Sequence, residues 1–98
     1  MRPPRGGHLD ANHKAVVKAL RDFGILVKSL AGVGDGCADL LVAYRGTLAL
    51  LEVKDGTLPP SKQKLTKDEA EFIATWPKAY VVTSAEEAIR VVVEAARG

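Results

Sequence analysis

Two β-rich runs, Asp39 to Tyr44 and Thr47 to Lys54, stand on either side of Arg45-Gly46. A two-residue break between such runs predicts a tight antiparallel hairpin, and the turn sets the register. If the chain reverses at Arg45-Gly46, Tyr44 faces Thr47, Ala43 faces Leu48, and counting outward puts Asp39 opposite Glu52. A four-residue loop keeps this register, whereas a three-residue loop shifts it by one. Strand side chains alternate, so Asp39, Leu41 and Ala43 share a face with Leu48, Leu50, Glu52 and Lys54. Two carboxylates and an amine therefore collect at one edge of an otherwise apolar surface.

Ordinary packing gives no reason for that grouping. Two carboxylates about 5 Å apart repel by about 3 kcal/mol at an effective dielectric near 20, and like charges directly opposite are avoided in sheets. Something must neutralise them. Few, hard oxygen donors with open positions suit Mg²⁺ or Mn²⁺, which also take phosphate oxygens and water. Lys54, one same-face step beyond Glu52, is placed to orient a water or to stabilise charge on phosphorus. The competing reading is structural: Asp39 begins a strand after a Gly-rich turn, and Glu52 with Lys54 forms a weak surface pair.

The rest of the chain supplies a frame for this hairpin. With 98 residues, it is long enough for one core and too short for a second domain. Residues 1–9, with Arg2 and Arg5, read as a mobile basic arm, and 10–98 as a single domain. Asp10 caps a helix from Ala11 to Phe23 whose Val16, Leu20 and Phe23 form one face, with Lys14, Lys18 and Arg21 opposite. That basic stripe is either a solvated face or a set of phosphate contacts. Gly24 ends the helix. Ile25 to Leu30 reads as a strand and Ala31 to Gly36 as a flexible turn, whose three glycines lack the Lys-Ser/Thr of a phosphate loop. After the hairpin, residues 55–65 form a loop. Thr66 and Glu69 make a capping box for a helix through Trp76, with Phe72, Ile73 and Trp76 inward. Ala79 to Val82 is a strand, and Ser84 with Glu87 caps a last helix with Ala88, Ile89, Val92 and Ala96 inward. The order is α-β-β-β-α-β-α, an α/β fold with a mixed central sheet flanked by helices.

Several function classes are excluded or disfavoured. A lone cysteine, Cys37, forms no intrachain disulfide, and no zinc-ligand spacing exists. No apolar run approaches a membrane span, and no apolar signal region follows the N-terminus, so the expected location is a reducing cytoplasm. The net charge is only +2, from 14 basic and 12 acidic residues. Its distribution is uneven: residues 1–34 carry six basic and two acidic groups, 35–56 two and four, and 57–98 six of each. His8 and His13 read as arm and helix-start residues, and the few aromatics as core or interface.

The segments Gly36-Cys37-Ala38-Asp39-Leu40-Leu41-Val42 and Leu51-Glu52-Val53-Lys54-Asp55-Gly56 resemble the two signatures of the PD-(D/E)XK nuclease superfamily. More narrowly, they are similar to the small VRR-NUC-like and phage Holliday-junction-resolvase-like nucleases. The resemblance runs over roughly residues 9–90, through Asp10-Ala11-Asn12, Ala19-Leu20-Arg21, Tyr44-Arg45-Gly46, Pro59-Pro60-Ser61 and Leu65-Thr66. It implies a restriction-endonuclease-like core, with Asp39 and Glu52 as metal ligands, the Val53 carbonyl as a third, and Lys54 positioning the hydrolytic water. It also implies Mg²⁺- or Mn²⁺-dependent cleavage of DNA, selective for branched structures, leaving 5′-phosphate and 3′-hydroxyl ends. A bacterial or phage-encoded protein in a bacterial host would fit. Three positions depart from the pattern: Ala38 replaces the motif proline, Ala15 stands where relatives often carry a helix glutamate, and Glu69 where they often carry glutamine.

On that resemblance, Lys62, Gln63, Lys64 and Lys67 become DNA contacts beside the metal, joining Lys14, Lys18 and Arg21. A domain this small would grip a junction as a homodimer, for which Val91-Val92-Val93 offers part of an interface. The alternative is a non-catalytic DNA-binding module on the same fold, motivated by Ala15 and the basic N-terminal third.

Overall fold

A computed structural model describes residues 7–98. Of the arm expected at residues 1–9, residues 1–6, with Arg2 and Arg5, lie outside them, and residues 7–9 are instead the start of the first helix. Helix α1 runs from Gly7 to Phe23, so it begins three residues before the expected cap at Asp10. Gly24 stops the helix with φ +102°. Its N–H donates to the Arg21 carbonyl and that of Ile25 to Leu20, both at 3.0 Å, the pattern of a Schellman motif.

The sheet contains β1 (Leu26–Ser29), β2 (Leu40–Tyr44), β3 (Thr47–Val53) and β4 (Ala79–Val82), in the spatial order β1-β2-β3-β4. The first three strands pair antiparallel, and β4 joins β3 in parallel. The hairpin register is the one expected, from Tyr44 opposite Thr47 through Leu40 opposite Leu51. Arg45 and Gly46 both have positive φ, +51° and +80°, which makes the tip a type I′ turn matched to the strands' twist.

The two sheet faces are treated very differently. On one, Val27, Val42, Ala49, Leu40, Leu51, Val53 and Val82 are buried. Helices α1 and α3 (Ala85–Arg97) cover this side, α1 contributing Val16 and Leu20, and α3 Ala88 and Val92. On the other face, the row Leu26–Ala43–Leu48 and the row Lys28–Leu41–Leu50 lie on β1 to β3, while α2 (Lys67–Thr75) packs on β4. No residue of α2 is buried, and Trp76 is more exposed than covered. The expected inward set Phe72, Ile73 and Trp76 is therefore a partial one: Phe72 and Ile73 are half-buried, and Phe72 stacks on Trp76 at 5.0 Å.

In α3, Val92 is buried and Val91 packs against the core. The valine run expected to serve an interface belongs largely to the fold's own interior. Both expected caps are present. Thr66 and Glu69 exchange their reciprocal bonds at the start of α2, and Ser84 accepts from the Glu87 N–H at the start of α3.

Candidate active site

The site is built where the hairpin arms end. The Asp39 backbone carbonyl accepts the Leu30 N–H at 2.8 Å, and its side-chain Oδ2 accepts the Val53 N–H at 2.8 Å. Asp39 is thereby tied to the neighbour on each side, and its carboxylate meets β3 beside Glu52, as the register requires. Glu52 is only 3% exposed. Lys54 reaches back along the strand, its Nζ 3.5 Å from Glu52 Oε2 and 3.1 Å from Glu69 Oε1. Asp39, Glu52, Val53 and Lys54 line one hollow of about 230 Å³, shared with His13, Lys62 and Glu69.

Electrostatics follow from this crowding. Burial first, then the charges of Asp39 and Glu69, push the Glu52 carboxyl up to about 8, with Lys54 only partly opposing them. Burial works against the Lys54 ammonium, but its bonds and charges with Glu69 and then Glu52 outweigh that and hold it above the ordinary lysine value. For Glu69, burial is outweighed by the Thr66 N–H and by Lys54, so its carboxyl lies below the usual range. Within the chain alone, Glu52 lacks sufficient positive charge. That deficit, with hard oxygen donors from Asp39 and Glu52, is what a divalent cation would relieve. Among the described residues, no three His, Cys, Asp or Glu side chains come together as a metal-holding group. An ion here would complete its shell with a backbone carbonyl, water or phosphate, the manner in which Mg²⁺ is ordinarily held.

Sequence reasoning missed three residues here. Glu69 does more than cap: the same Oε1 that accepts the Thr66 N–H at 2.9 Å also accepts from Lys54. The capping-box signal explained Glu69 fully and so hid its second role. Asn12 donates from Nδ2 to the Lys54 carbonyl at 3.0 Å, fixing the end of β3 to α1. His13, read as a helix-start residue, faces the same hollow. Both are long-range contacts with no local signature.

The seven expected DNA contacts do not gather in one place. Lys62 lines the hollow, and Lys64 and Lys67 are exposed nearby in sequence. Gln63 donates to the Leu58 carbonyl at 2.6 Å, closing its own loop. On α1, Lys14 is exposed, Lys18 pairs with Asp22 at 2.7 Å, and Arg21 donates to the Val27 carbonyl at 3.1 Å. Arg21 thus serves the fold, tying α1 to β1.

No family model matches the sequence, and no curated protein matches it. Among solved structures, a chain described as "VRR_NUC domain" superimposes with a TM-score of 0.54 at 26% identity, over 86% of this chain and 92% of that one. The chain has a VRR-NUC-like nuclease fold. The restriction-endonuclease-like core expected from the signature segments is the one observed, helix first, then three antiparallel strands, a helix, the parallel strand and a last helix. In this VRR-NUC-like fold, the carboxylate row sits at the open ends of the central strands, between the starts of α1 and α2. No helix among the described residues is long and apolar enough to cross a membrane.

Proposed function

We propose that this protein is a metal-dependent endodeoxyribonuclease of the PD-(D/E)XK type, acting in the cytoplasm on branched DNA as a homodimer. The observation that supports it most is the pairing of Asp39 with the buried Glu52, with Lys54 3.5 Å from the latter, at the open strand ends of a VRR-NUC-like fold. Asp39 and Glu52, with the Val53 carbonyl, would hold Mg²⁺ or Mn²⁺. When bound, such an ion supplies Lewis acidity toward a phosphate oxygen and a more acidic water.

The chain's own groups do the remaining work. Lys54, kept protonated by Glu69, donates toward the reacting phosphate or the attacking water. Asn12 holds the Lys54 backbone so that this donor does not drift. His13 and Lys62, lining the same hollow, offer polar contacts to the phosphate diester, and Lys64 and Lys67 extend that grip along the backbone.

The test is cleavage of end-labelled four-way junction, flap, duplex and single-stranded DNA in Mg²⁺, Mn²⁺ or EDTA. Wild type should cut only with metal. Glu52→Gln and Lys54→Ala should each slow cutting by about 100-fold or more, the scale on which a single charge-stabilising group acts. Retained DNA binding with no cut under any metal would instead establish a non-catalytic binding module on the same fold, the reading motivated by Ala15 and the basic N-terminal third.

A further inference from the structure

The segment between β3 and α2 is a stiff, self-closed projection. At its root Asp55 is buried, and its Oδ1 accepts the N–H and the hydroxyl of Thr57, at 2.9 and 2.6 Å. Gly56 lies so close to the end of β4 that a Cβ there would stand 3.0 Å from the Thr83 Cβ. Pro59 is held near polyproline geometry, φ −59° and ψ 154°, and a 3-10 turn, Pro60–Lys62, follows it. The Lys62 N–H donates to the Pro59 carbonyl at 2.8 Å and that of Gln63 to the Pro60 carbonyl at 3.0 Å. The Gln63 side chain closes the loop onto the Leu58 carbonyl. These bonds, with two pyrrolidine rings that fix φ, leave the backbone little freedom. Both rings nevertheless face water: Pro59 and Pro60 are exposed.

Place and charge give this apolar tip its setting. Lys62 lines the hollow that holds Asp39, Glu52 and Lys54, and at a 3-10 rise of about 2 Å per residue the two prolines precede it by only about 4–6 Å. Residues 57–67 carry Lys62, Lys64 and Lys67 and no acid, so the tip is framed by groups suited to phosphates. We propose that Pro59 and Pro60 form a wedge that lodges against the unstacked bases at a DNA branch point, and so select branched DNA for the neighbouring hollow. The proposal rests on the reading of the protein as a DNA nuclease. Apolar side chains, proline among them, are what proteins insert between base steps, unstacking and kinking the duplex. Unstacking costs least where a base has already lost its partners, so the wedge enters a branch point more cheaply than continuous duplex. A loop ordered beforehand gives up little freedom on insertion.

The test compares a four-way junction with a duplex of the same arm sequence, in EDTA so that no strand is cut. Each carries, at the branch point or its duplex equivalent, a fluorescent adenine analogue that stacking quenches. Wild type should bind the junction more tightly than the duplex and brighten the probe at the branch. The double variant Pro59→Ser/Pro60→Ser should abolish the brightening and weaken junction binding about tenfold, about 1.4 kcal/mol, while duplex binding stays within about twofold. Its salt dependence should match wild type, because no cation is removed. Pro59→Leu, which keeps an apolar tip, should keep the brightening. A bound junction whose probe stays dark would overturn the wedge, as would equal losses on junction and duplex, which would make the prolines stiffeners of the loop that carries Lys62. Failure of wild type to bind either DNA would overturn the nuclease reading and the wedge together. A probe that brightens on a junction left uncut in Mg²⁺ and Mn²⁺ would uphold the wedge and overturn the nuclease alone.

Discussion

Glu52 is where the chain's competing demands meet. The hairpin register sets it opposite Asp39, the sheet buries it, and the nearby cation, Lys54, is shared with Glu69. With its carboxyl pushed up to about 8 and an unfolded value near 4.5, the folded chain prefers the protonated form. Its contribution to stability is therefore complete below about pH 4.5 and declines as pH rises through about 8. Thermal melts in EDTA between these limits should show wild type losing stability toward high pH and Glu52→Gln losing much less. Added Mg²⁺ should raise the wild-type melting temperature most at the alkaline end. Equal pH slopes for the two proteins would show that Glu52 is not strained by its neighbours. The sequence exposes this residue well, because a two-residue turn and strand alternation suffice to put Asp39 and Glu52 side by side. It does not expose Asn12 or His13, since their partners lie some forty residues away, across a helix-to-strand contact that only the packed chain creates.

Among the elements, the turn before β2 is the most tightly constrained. Gly36 has φ +74°, and a Cβ there would stand 2.6 Å from the Asp68 backbone carbon at the start of α2. Backbone sterics and a clash with another element add together, so Gly36→Ala should cost about 2 kcal/mol or more in denaturant unfolding. Gly32, in the same turn but with open space around it, is the control. Gly32→Ala should be neutral or slightly stabilising. The sequence marked this turn as flexible because of its glycines, whereas at Gly36 the glycine serves close approach. Elements with local causes were legible: the Arg45-Gly46 tip, the Thr66–Glu69 box, the Ser84 cap and strand β4. Trp76 was misjudged for a reason outside its own helix. Its apolar spacing is that of a core face, but α2 packs on β4 and leaves Trp76 at the margin of an uncovered sheet.

At the scale of the molecule, the basic groups are parted by the fold. Arg21 and Lys18 have partners on α1's far end, while Lys62, Lys64 and Lys67 follow β3. If the latter three contact phosphates, replacing all of them by alanine should reduce the slope of log affinity against log salt by about 3 on duplex DNA. A fluorescence-anisotropy salt titration reads this directly, and an unchanged slope would move the DNA path elsewhere. The carboxylates and Lys54 lie within a single hairpin, and the segment that follows closes on itself through the Gln63 to Leu58 bond. On the proposed function, gripping and cutting would fall to separate stretches of chain. On that reading, the segment between Leu58 and Leu65, closed on itself, would be open to lengthening, recharging or exchange for a different DNA shape without disturbing the hairpin, leaving substrate preference and catalytic competence free to diverge.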